Sequence, residues 1–174
     1  MARGSPVQGP ADTLLDLETR AGPSDHAALR VWLRLLAATT LIEKRVRRRL
    51  EDQFDTTLPR FDLMAQLHRA PDGLKMSELS KRMMVSGGNV TGIAASLERD
   101  GMIRRIADPR DGRASLLRLT DPGRRQFRAM ADRHERWIVE IFAELGDREI
   151  AELAALLARL KKSARGLEDQ EVDR

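Results

Sequence analysis

Residues 85–120 read VSGGNVTGIAASLERDGMIRRIADPRDGRASLLRLT, and this stretch decides the fold. It opens on a break at Val85-Ser86-Gly87-Gly88, continues as a helix to Asp100 and stops at Gly101, the residue type that most often closes a helix. After Gly101 the apolar period changes from about 3.6 to about 2. Met102–Ala107 is therefore predicted as a strand, Asp108–Arg113 as a turn and Ala114–Leu119 as the returning strand. Just upstream, Met76–Met84 carries a short helix behind the turn Pro71-Asp72-Gly73. Helix, tight turn, helix and hairpin follow one another.

Long amphipathic segments flank this centre. From Ser24 or Asp25 as N-cap, Leu29, Leu33, Leu36, Ile42, Val46 and Leu50 fall at helical spacing. Thr57 with Pro59 opens a second helix that buries Phe61, Met64 and Leu67 until Pro71 ends it. Thr120 with Pro122 starts a fifth, striped by Phe127, Met130, His134, Trp137, Ile141 and Leu145 and broken at Gly146-Asp147. A sixth runs from Arg148 to about Gly166 with Ile150, Leu153, Leu157 and Leu160. The fold class is thus mainly α (α+β): a winged helix-turn-helix with a two-stranded wing, its N- and C-terminal helices forming a dimerisation bundle. Their apolar stripes find no other partner in so thin a domain, which predicts a homodimer. Residues 1–23, rich in Gly and Pro, read as a flexible arm, 24–166 as the domain with its DNA-binding lobe at about 56–122, and 167–174 as a tail.

Composition removes several classes of function. The 174 residues contain no cysteine, so disulfides, thiolate metal sites and thiol nucleophiles are excluded. Three histidines, His26, His68 and His134, lack ligand spacing, and neither a metal nor another cofactor is expected. The charge-free run Leu35–Ile42 is far below the roughly 20 residues of a bilayer span, and Met1–Pro23 has no apolar core of a signal peptide. No membrane contact and a cytoplasmic location are expected. Gly87-Gly88-Asn89-Val90-Thr91-Gly92 is not a nucleotide loop, because no Gly-Lys-Ser/Thr follows, and no acid pairs with a histidine in a catalytic layout. The chain does not read as an enzyme.

Charge points to nucleic acid. The formal net charge is only +4, yet Arg99–Arg125 alone holds eight arginines against four aspartates, and cations gathered on a ribbon suit phosphate neutralisation. On the preceding helix Val90, Ile93 and Leu97 face inward, leaving Gly87, Gly88, Asn89, Gly92 and Ser96 outward. Three glycines in six residues weaken a helix, so bare backbone is needed there, and close approach to duplex DNA supplies a reason. Asn89 either reads an adenine edge or supports the helix start. Ser86 and Thr91 place hydroxyls where helix N–H groups also point, a cradle for phosphate oxygens. The basic run Lys44, Arg45, Arg47, Arg48 and Arg49 is a solvated helical face, with ligand or DNA phosphate as the alternatives.

Leu79–Met84, Ser86–Thr91, Leu97–Arg105, the ribbon Asp108-Pro109-Arg110-Asp111-Gly112-Arg113 and Leu119-Thr120-Asp121-Pro122-Gly123 together resemble the MarR family of bacterial transcription regulators, in order and from about Asp25 to Gly166. The resemblance implies a homodimer on a pseudo-palindromic operator in double-stranded DNA, with recognition helices in successive major grooves and wings near the minor groove. The contacts it implies are Ser86, Gly88, Asn89, Thr91 and Gly92, with Arg104, Arg110 and Arg113 on the ribbon. Where the family's wing usually has Asp-Arg-Arg this chain has Asp111-Gly112-Arg113, so Arg110 is expected to take the missing contact while Arg113 and Asp111 form an internal ion pair. The resemblance also implies a ligand-responsive repressor. Its effector cleft would be walled by Trp32, Leu36, Phe61, Met64, Met130, His134 and Trp137, which otherwise are plain core or dimer packing. Ser86–Gly92 and Asp55–Met64 are similar to a branch that sits with aromatic-compound catabolism and senses aromatic acyl-CoA thioesters, so the expected effector is an aromatic acid or aromatic acyl-CoA. A nucleoid-type protein that binds DNA without sequence preference is the alternative function.

Overall fold

The computed structural model describes residues 27–109 and 111–172. Among them run α1 (Ala27–Phe54), α2 (Leu58–His68), α3 (Met76–Met83), α4 (Gly87–Arg99), β1 (Ile103–Asp108), β2 (Asp111–Leu119), α5 (Asp121–Ile141) and α6 (Asp147–Val172). The chain divides into two compact units between His134 and Glu135, inside α5.

The first unit is organised by one apolar core. Val46 and Leu50 of α1, Leu63, Met64 and Leu67 of α2, Leu79 of α3, Val90, Ala94 and Leu97 of α4, and Met130 of α5 are almost or fully inaccessible. Pro59 near the start of α2 suits a position where no backbone N–H is required. The strands close this core from one side. β1 and β2 pair antiparallel with Ile103 opposite Leu119 and Arg105 opposite Leu117, so Ile103, Leu117 and Leu119 are buried, while Arg104 stands opposite Arg118 on the other face. Leu74, in the loop before α3, exchanges backbone hydrogen bonds of 3.0 and 2.8 Å with Leu117 and so adds a third edge of a single residue. One residue has no periodicity, which is why the sequence reading has no counterpart to it.

The ribbon is tighter than the sequence suggests. Asp108 already belongs to β1 and Asp111–Arg113 to β2, with a register shift between Ala107 and Asp108, so the expected six-residue turn shrinks to its middle. Two other boundaries move. α5 ends at Ile141, which removes Leu145 from its stripe and places it in the turn before α6. α6 continues through Gly166 to Val172, so the expected tail is helical as far as that residue; one interior glycine weakens a helix by only about 1 kcal/mol. The arm at 1–23, the cap at Ser24 or Asp25, and Arg110 lie outside the described residues.

The passage from α4 through β1 and from β2 into α5 is fixed by backbone geometry. Gly101, at φ +71°, donates to Glu98 O at 3.0 Å and Met102 donates to Leu97 O at 2.9 Å, which closes α4. Thr120, just ahead of α5, donates through Oγ1 to Gly101 O at 2.7 Å and accepts the Gly123 N–H at 3.0 Å. Gly123 lies so close that a Cβ there would sit 1.9 Å from Met102 O.

Each unit leaves apolar side chains outside. On α1 these are Leu29, Val31, Trp32 and Leu41. In the second unit they are Val139, Leu145, Ile150, Leu156, Leu157 and Leu160, beside an open groove of about 500 Å³ formed by Ile138, Val139, Phe142, Ala143, Leu145, Asp147 and Ile150. Among the described residues no helix is long and apolar enough to cross a membrane.

Because the atom that a Cβ at Gly123 would meet is backbone, no rotamer relieves the clash. Gly123→Ala is expected to lower stability by roughly 2–4 kcal/mol in urea denaturation, whereas Gly101→Ser, limited by φ alone, should lose about 1 kcal/mol.

Candidate nucleic-acid interface

α3 and α4 are joined by a turn that the chain locks with local bonds. Met84 takes a left-handed conformation at φ 53°, and Val85 donates to Ser80 O at 3.3 Å while Ser80 Oγ donates to Val85 O at 2.7 Å. At the start of α3 the Glu78 carboxylate accepts the Lys75 N–H at 3.0 Å, a reciprocal cap from the third helical residue. Ser86 begins α4 with extended backbone and no side-chain capping bond.

α4 is held from behind. Val90, Ala94 and Leu97 are buried and Ile93 is half-buried, so the inner face matches the expected stripe with Ala94 added. Arg60 of α2 donates from one guanidinium nitrogen to Ser96 Oγ at 2.6 Å and from another to Asp100 Oδ2 at 2.5 Å. Ser96, expected on the outward side, is therefore half-buried and engaged. Arg105 of β1 pairs with Glu98 at 3.1 Å. No local pattern marks Arg60, because its partners lie 36 and 40 residues further along the chain.

The opposite face is bare. Gly87, Gly88, Asn89, Thr91 and Gly92 are all exposed, and Cβ atoms built on the three glycines would meet nothing within 4 Å. The fold itself gives no reason for glycine at these positions. Thr91 Oγ1 donates back to Gly87 O at 2.9 Å, so its hydroxyl hydrogen is engaged by the helix's own backbone.

Charge around the ribbon is redistributed by pairing. Asp108 is buried and bound by Lys75 Nζ at 3.1 Å, Asp100 by Arg60, and Asp121 by Arg124. The hydrogen bond and charge of Arg124, helped by Arg125 and Arg104, hold the Asp121 carboxyl below its usual range. Two of these three aspartates are thus neutralised by cations from outside Arg99–Arg125. Arg99 and Arg104 are exposed, while Arg105 and Arg124 have carboxylate partners. Arg110 is outside the described residues, and the backbone of Arg113 lies in β2.

The candidate effector residues differ in burial. Met64 and Met130 are fully buried packing residues, Phe61 is nearly so, Leu36 is half-buried and Trp32 is 55% exposed. Phe61 and His134 meet with ring centroids 5.0 Å apart, and Phe127 lies 5.5 Å from Phe61 and 4.8 Å from His68. Trp137 is buried and belongs to the second unit.

The model of the MarR family matches residues 56–115, from just before α2 into β2. An HTH-type transcriptional regulator of Bacillus subtilis, YdgJ, is 32% identical over 109 residues, which span 63% of this chain and 66% of that protein. A MarR family transcriptional regulator from Silicibacter pomeroyi superposes with a TM-score of 0.69 at 31% identity, covering 83% of this chain and 99% of that one. The PcaV transcriptional regulator from Streptomyces coelicolor, in complex with its natural ligand, superposes with a TM-score of 0.62 at 28% identity over 83% and 97% of the two chains. The relatives are transcriptional regulators and not enzymes.

Burial holds the His134 pKa below its usual value. The folded chain then binds fewer protons at this site than the unfolded chain, so stability is lost as pH falls through about 6.5, the unfolded histidine value. Urea midpoints measured on either side of that pH should drop more for the parent than for His134→Gln, and equal drops would remove His134 as the cause.

Proposed function

The chain belongs to the MarR family of transcriptional regulators, with its DNA-binding winged-helix fold, and from that premise we propose that it acts as a homodimeric, ligand-responsive repressor on a palindromic operator. The observation that carries the reading is the outward face of α4. Three glycines there cost the helix roughly 0.5–1 kcal/mol each relative to alanine and fill no intramolecular need. The absence of Cβ atoms at three positions of this face lets base edges and phosphates approach the backbone closely.

In this reading α4 enters the major groove with Ser86, Gly88, Asn89, Thr91 and Gly92 against DNA. Asn89 reads a base edge through its amide and Ser86 meets a phosphate at the helix start. Arg104, with Arg110 and Arg113 on the ribbon, contributes phosphate or minor-groove contacts. A second copy covers the apolar side chains left exposed on α1 and in the second unit, since faces of that kind seldom stay in water. The twofold axis then sets two half-sites about 10–10.5 base pairs apart.

The effector is proposed to be an aromatic acid or aromatic acyl-CoA that engages the first unit beside Phe61 and His134, with Trp32 and Leu36 on α1 as further contacts. The similarity to PcaV, whose structure holds its natural ligand, supports a ligand-responsive reading. Such a ligand shifts the equilibrium between spacings of the two recognition helices only through a difference in affinity for them.

Gly92→Ala is expected to separate folding from binding. It should raise stability by about 0.5–1 kcal/mol and weaken binding to a fragment of the chain's own promoter by about tenfold or more. Asn89→Ala should reduce the preference for that fragment over a scrambled duplex by about 1–3 kcal/mol. Fluorescence anisotropy at fixed salt measures both quantities. Parent-like binding by Gly92→Ala would end the argument from the bare face, and an equal preference for scrambled DNA in the parent would point to sequence-indifferent binding.

A further inference from the structure

At the base of the ribbon the end of α2, the end of β2 and the first turns of α5 enclose a cleft of about 140 Å³. Its walls are His68, Pro71, Arg118, Arg124 and Arg128 over a floor of Leu67 and Leu119. Three arginines and a histidine therefore line one small space. Arg118 Nε is buried without a hydrogen-bond partner. Arg104 stands directly opposite Arg118 in the hairpin, so a like charge faces it across the same rung. The nearby carboxylate, Asp121, is already bonded by Arg124.

A buried N–H without an acceptor is unfavourable, and like charges gathered around a recess compound it. An oxyanion resolves both, because it accepts several charged hydrogen bonds and neutralises the cluster. The recess also discriminates between sources of negative charge. A phosphate on the stiff backbone of a duplex reaches guanidinium tips that project from a surface, whereas a donor beneath the surface is reached only by something small enough to enter.

We propose that the cleft between Arg118, Arg124, Arg128 and His68 is a binding site for a small oxyanion, the phosphate or carboxylate group of a metabolite or the free inorganic ion. It shares none of the residues assigned above to DNA or to an aromatic effector, and it requires neither reading to hold. Arg118 supplies the buried donor and Arg128 the exposed, adjustable one. Arg124 adds charge while its own hydrogen bonds to Leu119 O, at 2.8 Å, and to Asp121 keep it in place. His68, its ring against Phe127, forms the rim.

The test uses the full chain without DNA. Sodium phosphate, and in a parallel arm sodium succinate, is titrated at constant ionic strength against sodium chloride while thermal midpoints and amide NMR spectra are recorded. The expected result is a saturable rise in midpoint with one anion or both, with amide shifts at residues 118–128 and at His68 following the same curve. The stronger arm names the head group. Arg128→Gln, an exposed substitution outside the core, should weaken the apparent affinity by about tenfold or more. A response no larger than that of chloride, or one unchanged in Arg128→Gln, overturns the proposal. So does a variant whose duplex binding falls with a shallower salt slope while the parent shows no small-anion response, because the cleft then seats backbone phosphate.

Discussion

A helix that turns Gly87, Gly88 and Gly92 outward has little intrinsic stability over its first half, so its geometry has to be imposed from its inner face. In this protein three constraints do so. Val90, Ala94 and Leu97 anchor α4 in the core, Arg60 grips its last turn through Ser96 and Asp100, and the Gly101 closure stops it at a defined point. The rest of the first unit follows from that arrangement. α2 must run where Arg60 can reach α4, and β1 must leave α4 so that Arg105 can meet Glu98. A rigid back and a bare front suit an element that docks against another surface, since side chains there would otherwise have to be ordered on contact.

Electrostatics follows the same division between inside and outside. Asp100, Asp108 and Asp121 are each bound by a cation, and two of these cations, Arg60 and Lys75, come from α2 and from the residue just before α3. The pair of Lys75 with buried Asp108 ties the ribbon to the start of α3. Ion pairs of that kind contribute more to fixing a geometry than to net stability, because desolvation offsets most of the attraction. On the outside, these three acids are already engaged by Arg60, Lys75 and Arg124, while Arg99 and Arg104 stand exposed with their field. A protein surface with such a field attracts polyanions in a manner that salt screens.

The core of the first unit and the aromatic cluster share α2. Phe61 stacks on Phe127 and tilts against His134, while Leu63, Met64 and Leu67 complete the interior. Of the residues that the resemblance places in a pocket wall, Met64 and Met130 are fully buried. A methionine on an apolar stripe serves either purpose, and only accessibility distinguishes them.

Much of the architecture was legible in the chain. The helical stripe Val90, Ile93, Leu97, the stop at Gly101 and the two-residue alternation after it fix element types through local geometry, because each is a property of residues within one turn or one strand. The glycine-rich outward face followed from the same periodicity. Family membership was legible for the same reason, since the motifs that carry it are contiguous.

What the chain did not disclose depends on residues brought together from afar. The grip of Arg60 on Ser96 and Asp100, the single-residue edge at Leu74, the approach of Gly123 to Met102 and the gathering of His68, Arg118, Arg124 and Arg128 around one cleft have no sequence period. The eight arginines of Arg99–Arg125 are contiguous as charge along the chain, whereas folding sends Arg105 to Glu98 and Arg118 and Arg124 to a recess. Sequence determines what each segment prefers locally; which cations meet which carboxylates, and which are left facing water, is decided by packing, because a side-chain contact depends on distance in space and not on separation along the chain.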